Sequence, residues 1–295
     1  MTVSLEGKSA IVTGAGAGLG RSEALALAAA GAAVVVNDYD KDAAHSVVEE
    51  IAAAGGQATA APGDVSSWQV AQELVETAVS AYGQLDVLVN NAGVLRDRTI
   101  FNISEQEWDT VIGVHLKGHA GTSRFATAHW RDRSKAAGEP VYGRVVNTSS
   151  EAFLFGSAGQ PNYAAAKAGI VALTLAIARA CERYGVKANA ICPRARTAMT
   201  AGVFGEAPEG TDPLSVDHVA PLVAFLASPA AQDISGQVFV AYGGMVALVS
   251  APGVEERFDS ADGTWTAQGL AGAMGRYFAE RDKGLSFASD AVARL

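Results

Sequence analysis

The chain has 295 residues, 49% of them hydrophobic, with a formal net charge of −9 and two cysteines. Its acidity argues against a nucleic-acid-binding surface, because nucleic-acid binders carry a basic stripe that displaces counterions, and leaves room only for a local basic pocket for a phosphate-bearing ligand. Cys181 and Cys192 have neither CxxC spacing nor the density of a disulfide scaffold, so they read as two thiols in a reducing compartment. The start, "MTVSLEGKSAIVTG", has no basic region followed by an apolar run. No segment is expected to reach the roughly 18 apolar residues of a spanning helix, which points to the cytoplasm.

Short β-branched runs alternate with alanine-rich segments of helical period, the pattern of βαβ units and a parallel sheet. Strands are predicted at 9–14, 32–38, 57–64, 85–93, 143–150, 186–193 and 236–244. Helices are predicted at 18–30, 41–54, 67–82, 104–131, 161–184 and 217–227. The polar run "RDRSKAAGEPVYG" (131–143) predicts a surface loop, and the glycines and prolines of "AGVFGEAPEGTDP" (201–213) mark a candidate lid. After Gly244 the alternation weakens. A domain over 1–250 is therefore followed by an extension, 251–295, with a helix near 265–278. Trp265, Tyr277 and Phe278 are its expected anchors, over the crevice of the same domain or on a neighbouring subunit.

"IVTGAGAGLGR" follows the first strand and opens a helix, the context that makes a glycine pattern informative. Gly14, Gly18 and Gly20 let the backbone approach a pyrophosphate at a helix N-terminus, where free N–H groups and the dipole favour negative charge. Asp38 ends the second strand about 20 residues beyond, where a carboxylate accepts hydrogen bonds from ribose hydroxyls and repels a 2′-phosphate. No arginine or lysine lies between Gly14 and Gly18. Both features favour NAD over NADP. "GDV" (63–65) and "NNAG" (90–93) end the third and fourth strands and converge on the same crevice.

"SSEAFLFGSAGQPNYAAAK" puts Ser149 and Ser150 at a strand end, and Tyr163 and Lys167 at i, i+4 on one helix face. A phenol has a pKa near 10, and an adjacent ammonium is expected to favour the phenolate and bring proton transfer within reach of neutral pH. Ser150 is placed to donate to a substrate oxygen.

In order and spacing, "TGAGAGLG", "NNAG", Ser150 and "YAAAK" resemble the short-chain dehydrogenases/reductases over residues 5–245. The resemblance implies an α/β fold, a Rossmann-type doubly wound parallel sheet of seven strands in the order 3-2-1-4-5-6-7, in a homodimer or homotetramer. It implies Tyr163 as acid/base, Lys167 on the nicotinamide ribose and Ser150 on the carbonyl. It also implies cofactor contacts from Gly14, Gly18, Leu19, Gly20, Asp64, Val65, Asn91, Ala92, Gly93, Tyr163, Lys167, Pro193 and Thr197. The residue after Pro193 is usually glycine in that family, whereas here it is Arg194, expected to crowd the nicotinamide or meet a substrate anion.

"VVVNDYD", "NNAGVLRDRTI", "VHLKGH" and "APLVAFLAS" look like the (3R)-hydroxyacyl-CoA dehydrogenase units of peroxisomal bifunctional β-oxidation enzymes. The expected activity is NAD-dependent interconversion of a secondary alcohol and a ketone, on a lipid-like 3-hydroxyacyl-CoA or a hydroxysteroid. An NADPH-dependent 3-oxoacyl-carrier-protein reductase, or a dinucleotide-binding sensor without turnover, would share much of the pattern.

His115 and His119 in "GVHLKGH" have helical i, i+4 spacing, but a zinc helix would need Glu where Leu116 stands, and a third ligand. No metal is expected. Where the family commonly has an asparagine that kinks a helix and holds a water for the lysine, this chain has His115, whose ring is expected to take over that role. His119 reads as a structural or interface residue.

Overall fold

The computed structural model describes residues 3–200 and 204–283. Its central sheet has eight strands in the order β3-β2-β1-β4-β5-β6-β7-β8. They are β1 (Ser9–Thr13), β2 (Ala33–Asn37), β3 (Gln57–Ala60), β4 (Val87–Asn90), β5 (Gly143–Thr148), β6 (Val186–Pro193), β7 (Val238–Tyr242) and β8 (Met245–Leu248). The first seven run parallel, while β7 and β8 pair antiparallel with Tyr242 opposite Met245. The expected seven-strand order is present, extended by one strand. The sequence predicts that the sheet finishes with 236–244 and its two glycines. Gly243 and Gly244 instead make the tight turn of a hairpin, a signal the sequence carries in plain view.

The helices are α1 (Gly18–Ala29), α2 (Lys41–Ala53), α3 (Trp68–Tyr82), α4 (Glu105–Ile112), α5 (Gly118–Ala137), α6 (Ala152–Phe155), α7 (Pro161–Cys181), α8 (Ala220–Ala227) and α9 (Ala267–Glu280). Local chemistry sets several starts. Asp40 accepts from the N–H groups of Asp42 and Ala43 at the head of α2, and Ser104 with Glu107 forms a capping box on α4. The expected loop at 131–143 starts later than predicted, because α5 continues to Ala137 and ends at Gly138 in the left-handed region (φ 74°). Between α4 and α5, Gly113–Lys117 forms a π-helical turn, so the single helix expected at 104–131 is interrupted at His115.

Successive strand residues point to opposite faces. Val12, Val34, Val36 and Val146 pack on one face with Ala24 and Leu27 of α1 and Val223 of α8. Ile11, Val35, Leu88 and Val145 pack on the other with Leu74 of α3, Trp130 of α5 and Ile177 of α7. Trp130 is fully buried, and its Nε1 donates to the Leu85 carbonyl at 2.6 Å. Contrary to expectation, one helical stretch, Pro161–Tyr184, is long and apolar enough to cross a membrane by length and composition. It packs chiefly on β6 and also contacts β5 and α5, and it carries the buried Asn162 and Lys167 into the protein interior.

The contacts divide the chain into Met1–Val249 and Ser250–Leu295. Within the second unit, Tyr277 packs edge-on against Phe258 and Phe278, and Glu255 accepts from the Tyr277 hydroxyl at 2.9 Å and from the Arg281 guanidinium at 2.6 Å.

Candidate active site

A cavity of about 750 Å³ lies at the carboxyl ends of the parallel strands. In such sheets ligands bind there, where the strand order reverses between β1 and β4. Gly14, Gly18, Leu19, Asp38, Asp64, Val65, Asn91, Ala92, Gly93, His115, Tyr163, Lys167, Pro193 and Thr197 all line it. Gly20 and Ser150 do not. Gly20 instead faces the Gly14 carbonyl and the Asn91 amide, so closely that a Cβ would sit 2.2 Å from that oxygen. The close approach packs α1 against the loop that follows β1.

The loop between β1 and α1 is held from below. Thr13 Oγ1 accepts from the N–H groups of Asn91 and Ala92 at 3.0 and 3.2 Å, and the Asn91 amide donates to the Thr13 and Gly14 carbonyls, each at 3.0 Å. Gly14 has φ 63°, and a Cβ there would fall 2.7 Å from Ala92 Cα. Helix α1 starts with no side-chain cap and no acidic residue in its first turn, leaving N–H groups there for an anion. The Asp38 carboxylate accepts from the Gly16 N–H at 2.8 Å and the Asp40 N–H at 2.9 Å. These features fit a dinucleotide with the adenosine towards β2 and β3.

At the other end, Lys167 is 2% exposed and donates to the Thr148 carbonyl at 2.6 Å. Burial pulls its pKa down to about 7. Its ammonium lies 5.3 Å from the Tyr163 ring centre. Tyr163 departs from the expectation: burial raises its pKa and outweighs the lowering by a hydrogen bond with Ser150. Desolvation dominates over any help from the ammonium. Ser149 is a support residue, its hydroxyl donating to the Lys167 carbonyl at 2.9 Å.

His115 sits in the π-helical turn, 1% exposed, with its ring edge-on to Tyr163 at 5.2 Å. Its Nε2 meets the Val94 backbone, 3.0 Å from the nitrogen and 2.9 Å from the carbonyl oxygen. Burial, and next the Lys167 charge, hold its pKa well below the usual value, so the imidazole is neutral. Nδ1 is buried without a protein partner among the described residues. Gly93 is the residue that makes room, since a Cβ there would lie 2.4 Å from His115 Cε1. His119 is 2% exposed, and burial takes its pKa down to about 3. It is a core residue of this fold.

Arg194 does not reach into the cavity. Its guanidinium forms a two-point pair with Glu151, 2.7 Å at each contact. Of the candidate lid at 201–213, residues 201–203 lie outside the described residues. Arg196 ties down the remainder of that segment, pairing with Asp212 at 3.0 Å and donating to the Phe204 carbonyl at 2.6 Å.

Sequence reasoning passes over Thr13, Gly16 and Asn162. Asn162 is fully buried just before Tyr163, its Oδ1 accepting from the Tyr163 N–H at 2.8 Å and its Nδ2 donating to the Arg96 carbonyl at 3.1 Å. Only its place beside the tyrosine hints at this.

A glycine loop meeting a helix N-terminus, with Tyr163 and the buried Lys167 at the far end of one cavity and Ser150 hydrogen-bonded to that tyrosine, is the arrangement of a nucleotide-dependent oxidoreductase. The chain belongs to the short-chain dehydrogenase family, whose model matches residues 8–206. It is 57% identical to the hydroxyacyl-CoA dehydrogenase ChsB1 of Mycobacterium tuberculosis, over 99% of this chain and 95% of that protein. It is 38% identical to the peroxisomal hydratase-dehydrogenase-epimerase of Neurospora crassa, over 82% of this chain but only 27% of that longer protein. The crystal structure of a short chain dehydrogenase from Mycobacterium avium superposes with a TM-score of 0.87 at 46% identity, covering 97% of this chain and 99% of that one. The chain is an oxidoreductase acting on CH–OH groups with an NAD(P)-type dinucleotide.

Proposed function

We propose that the protein is an NAD-dependent 3-hydroxyacyl-CoA dehydrogenase. The observation that carries the choice of NAD is the Asp38 carboxylate, which lines the cavity beyond β2 and is fixed by the Gly16 and Asp40 N–H groups. A fixed negative charge there suits two ribose hydroxyls and repels a 2′-phosphate. The acyl-CoA substrate is supported by the 57% identity, across nearly the whole chain, to a protein named as a hydroxyacyl-CoA dehydrogenase.

Gly14, Gly18 and Leu19 would hold the dinucleotide's phosphates at the head of α1. Asp64 and Val65 would meet the adenine, Asn91, Ala92 and Gly93 would line the middle, and Pro193 and Thr197 would meet the carboxamide. The bound cofactor supplies a hydride acceptor. Ser150 and Tyr163 hold the substrate hydroxyl, and Tyr163 takes its proton as the carbonyl forms. Lys167 holds the nicotinamide ribose and, when charged, favours the phenolate. His115, whose Nδ1 has no partner among the described residues, would hold a water for Lys167.

The same reading takes the chain to be cytoplasmic and a homodimer or homotetramer. Its test is a screen of NAD⁺ against NADP⁺ with hydroxyacyl-CoA and hydroxysteroid panels. NAD⁺ reduction with a 3-hydroxyacyl-CoA supports it. NADPH preference would favour the carrier-protein reductase, and turnover of steroids alone would replace the acyl-CoA assignment.

A further inference from the structure

The segment after β4 carries an arginine with no role in the chemistry above. Arg96 lines the cavity together with His115 and Tyr163, and it is exposed, which puts it where the cavity opens to solvent. Its backbone is tied to that of the reacting tyrosine. One buried amide, Asn162, donates to the Arg96 carbonyl at 3.1 Å and to the Glu107 carbonyl at 3.3 Å, and accepts from the Tyr163 N–H at 2.8 Å. Next to it, Gln160 donates to the Asp97 carboxylate at 2.9 Å.

The neighbouring arginines are neutralised. Arg98 pairs with Glu107 at 3.2 Å, Arg194 with Glu151 at 2.7 Å and Arg196 with Asp212 at 3.0 Å. Arg96 is in no ion pair among the described residues, and its guanidinium donates to the carbonyl of Leu95, at 2.7 Å. The carboxylates lining the cavity, Asp38 and Asp64, follow β2 and β3. β2 is two strand spacings from β4, roughly 10 Å. The two ends of the cavity thus carry opposite charge in a chain whose net charge is −9.

Resting on the acyl-CoA reading, we propose that Arg96 binds a phosphate on the carrier arm of the thioester substrate where that arm leaves the cavity. Such a substrate is polyanionic, and an acidic protein needs a local cation at the mouth to admit it. An arginine in no ion pair among the described residues offers paired N–H donors matched to phosphate oxygens.

The test compares kcat/KM for three 3-hydroxyacyl thioesters of one chain length: the CoA ester, the 4′-phosphopantetheine ester and the phosphate-free pantetheine ester. For the wild type the CoA ester is preferred. In Arg96→Ala the preference for CoA over pantetheine falls about fivefold, as for an exposed charged contact, and Arg96→Glu falls further while Arg96→Lys keeps most of it. The phosphopantetheine ester tells whether the first phosphate or the nucleotide phosphates are bound. Arg98→Ala, which removes a paired cation two residues away, leaves the preference in place. An unchanged CoA-to-pantetheine ratio in folded, active Arg96→Ala and Arg96→Glu overturns the proposal. If the wild type oxidises no 3-hydroxyacyl thioester but does oxidise another alcohol, the acyl-CoA reading itself has failed, and the role of Arg96 goes with it.

Discussion

The His115 imidazole and the Gly93 backbone occupy the same space so closely that a single methyl group on Gly93 would lie 2.4 Å from Cε1. The contact fixes the ring against Tyr163 on one side and β4's exit loop on the other. Gly93→Ala should therefore cost about 1–3 kcal/mol of stability, as overpacking does, together with most of the activity. In a His115→Ala background the same change should cost under about 0.5 kcal/mol, a coupling that chemical denaturation of the four variants reads directly. Equal costs in the two backgrounds would show that the ring yields freely.

Removal of the Tyr163 hydroxyl tests the proton transfer. Tyr163→Phe keeps the ring contact with His115 and should lower kcat by roughly 10²–10⁴, with cofactor affinity little changed. Ser150→Ala, which loses the hydrogen bond with Tyr163, should push the activity profile to higher pH, since that bond lowers the phenol's pKa. A profile unmoved in Ser150→Ala would dissociate the serine from the tyrosine.

Cofactor choice rests on Asp38. Asp38→Ser should cut the NAD-over-NADP preference in kcat/KM at least about tenfold, because one charge repelled by the 2′-phosphate disappears while a ribose partner is lost. A Cβ on Gly16 would fall 2.9 Å from the Asp38 carboxyl carbon and 2.7 Å from Ala43 Cβ. Gly16→Ala should thus raise KM for NAD⁺ without inverting the preference, as initial rates against both cofactors would reveal.

Glu23 gives the fold a pH dependence of its own. It is fully buried on α1, both carboxylate oxygens lack partners among the described residues, and burial raises its pKa from 4.5 to about 8. Between those values the folded state holds the proton more tightly than the unfolded chain. Its contribution is complete below about pH 4.5 and is lost as the pH rises through 8. His119, lowered from 6.5 to about 3, acts in the opposite sense: its contribution is present above 6.5 and is lost as the pH falls towards 3. Thermal unfolding should show Glu23→Gln flattening the decline between about pH 4.5 and 8, where one group supplies at most about 1.4 kcal/mol per pH unit. An identical decline in the variant would assign it to other groups.

The strand order and the lining of the crevice are legible because they follow from hydrophobic period and from motifs whose spacing is set by backbone geometry. Asp38, Tyr163 and Lys167 all line one cavity. What escapes is decided by contacts between distant segments. Nothing local to "CPRART" announces that Arg194 turns to Glu151, 43 residues earlier, nor does "QPNYA" reveal that Asn162 reaches back to Arg96. The Tyr163 pKa escapes for a related reason: the sequence shows the lysine one turn away, whereas the burial that dominates is a property of the assembled fold.

The Arg194–Glu151 pair has a consequence for anyone redesigning this enzyme. Both side chains are mostly withdrawn from water, at 20% and 14% exposure, so replacing Arg194 alone removes the paired cation from a largely buried Glu151 carboxylate. Restoring the glycine common after that proline would leave Glu151 to be neutralised as well. The two positions form a single unit of choice, and a library that samples them independently would discard most of its useful members.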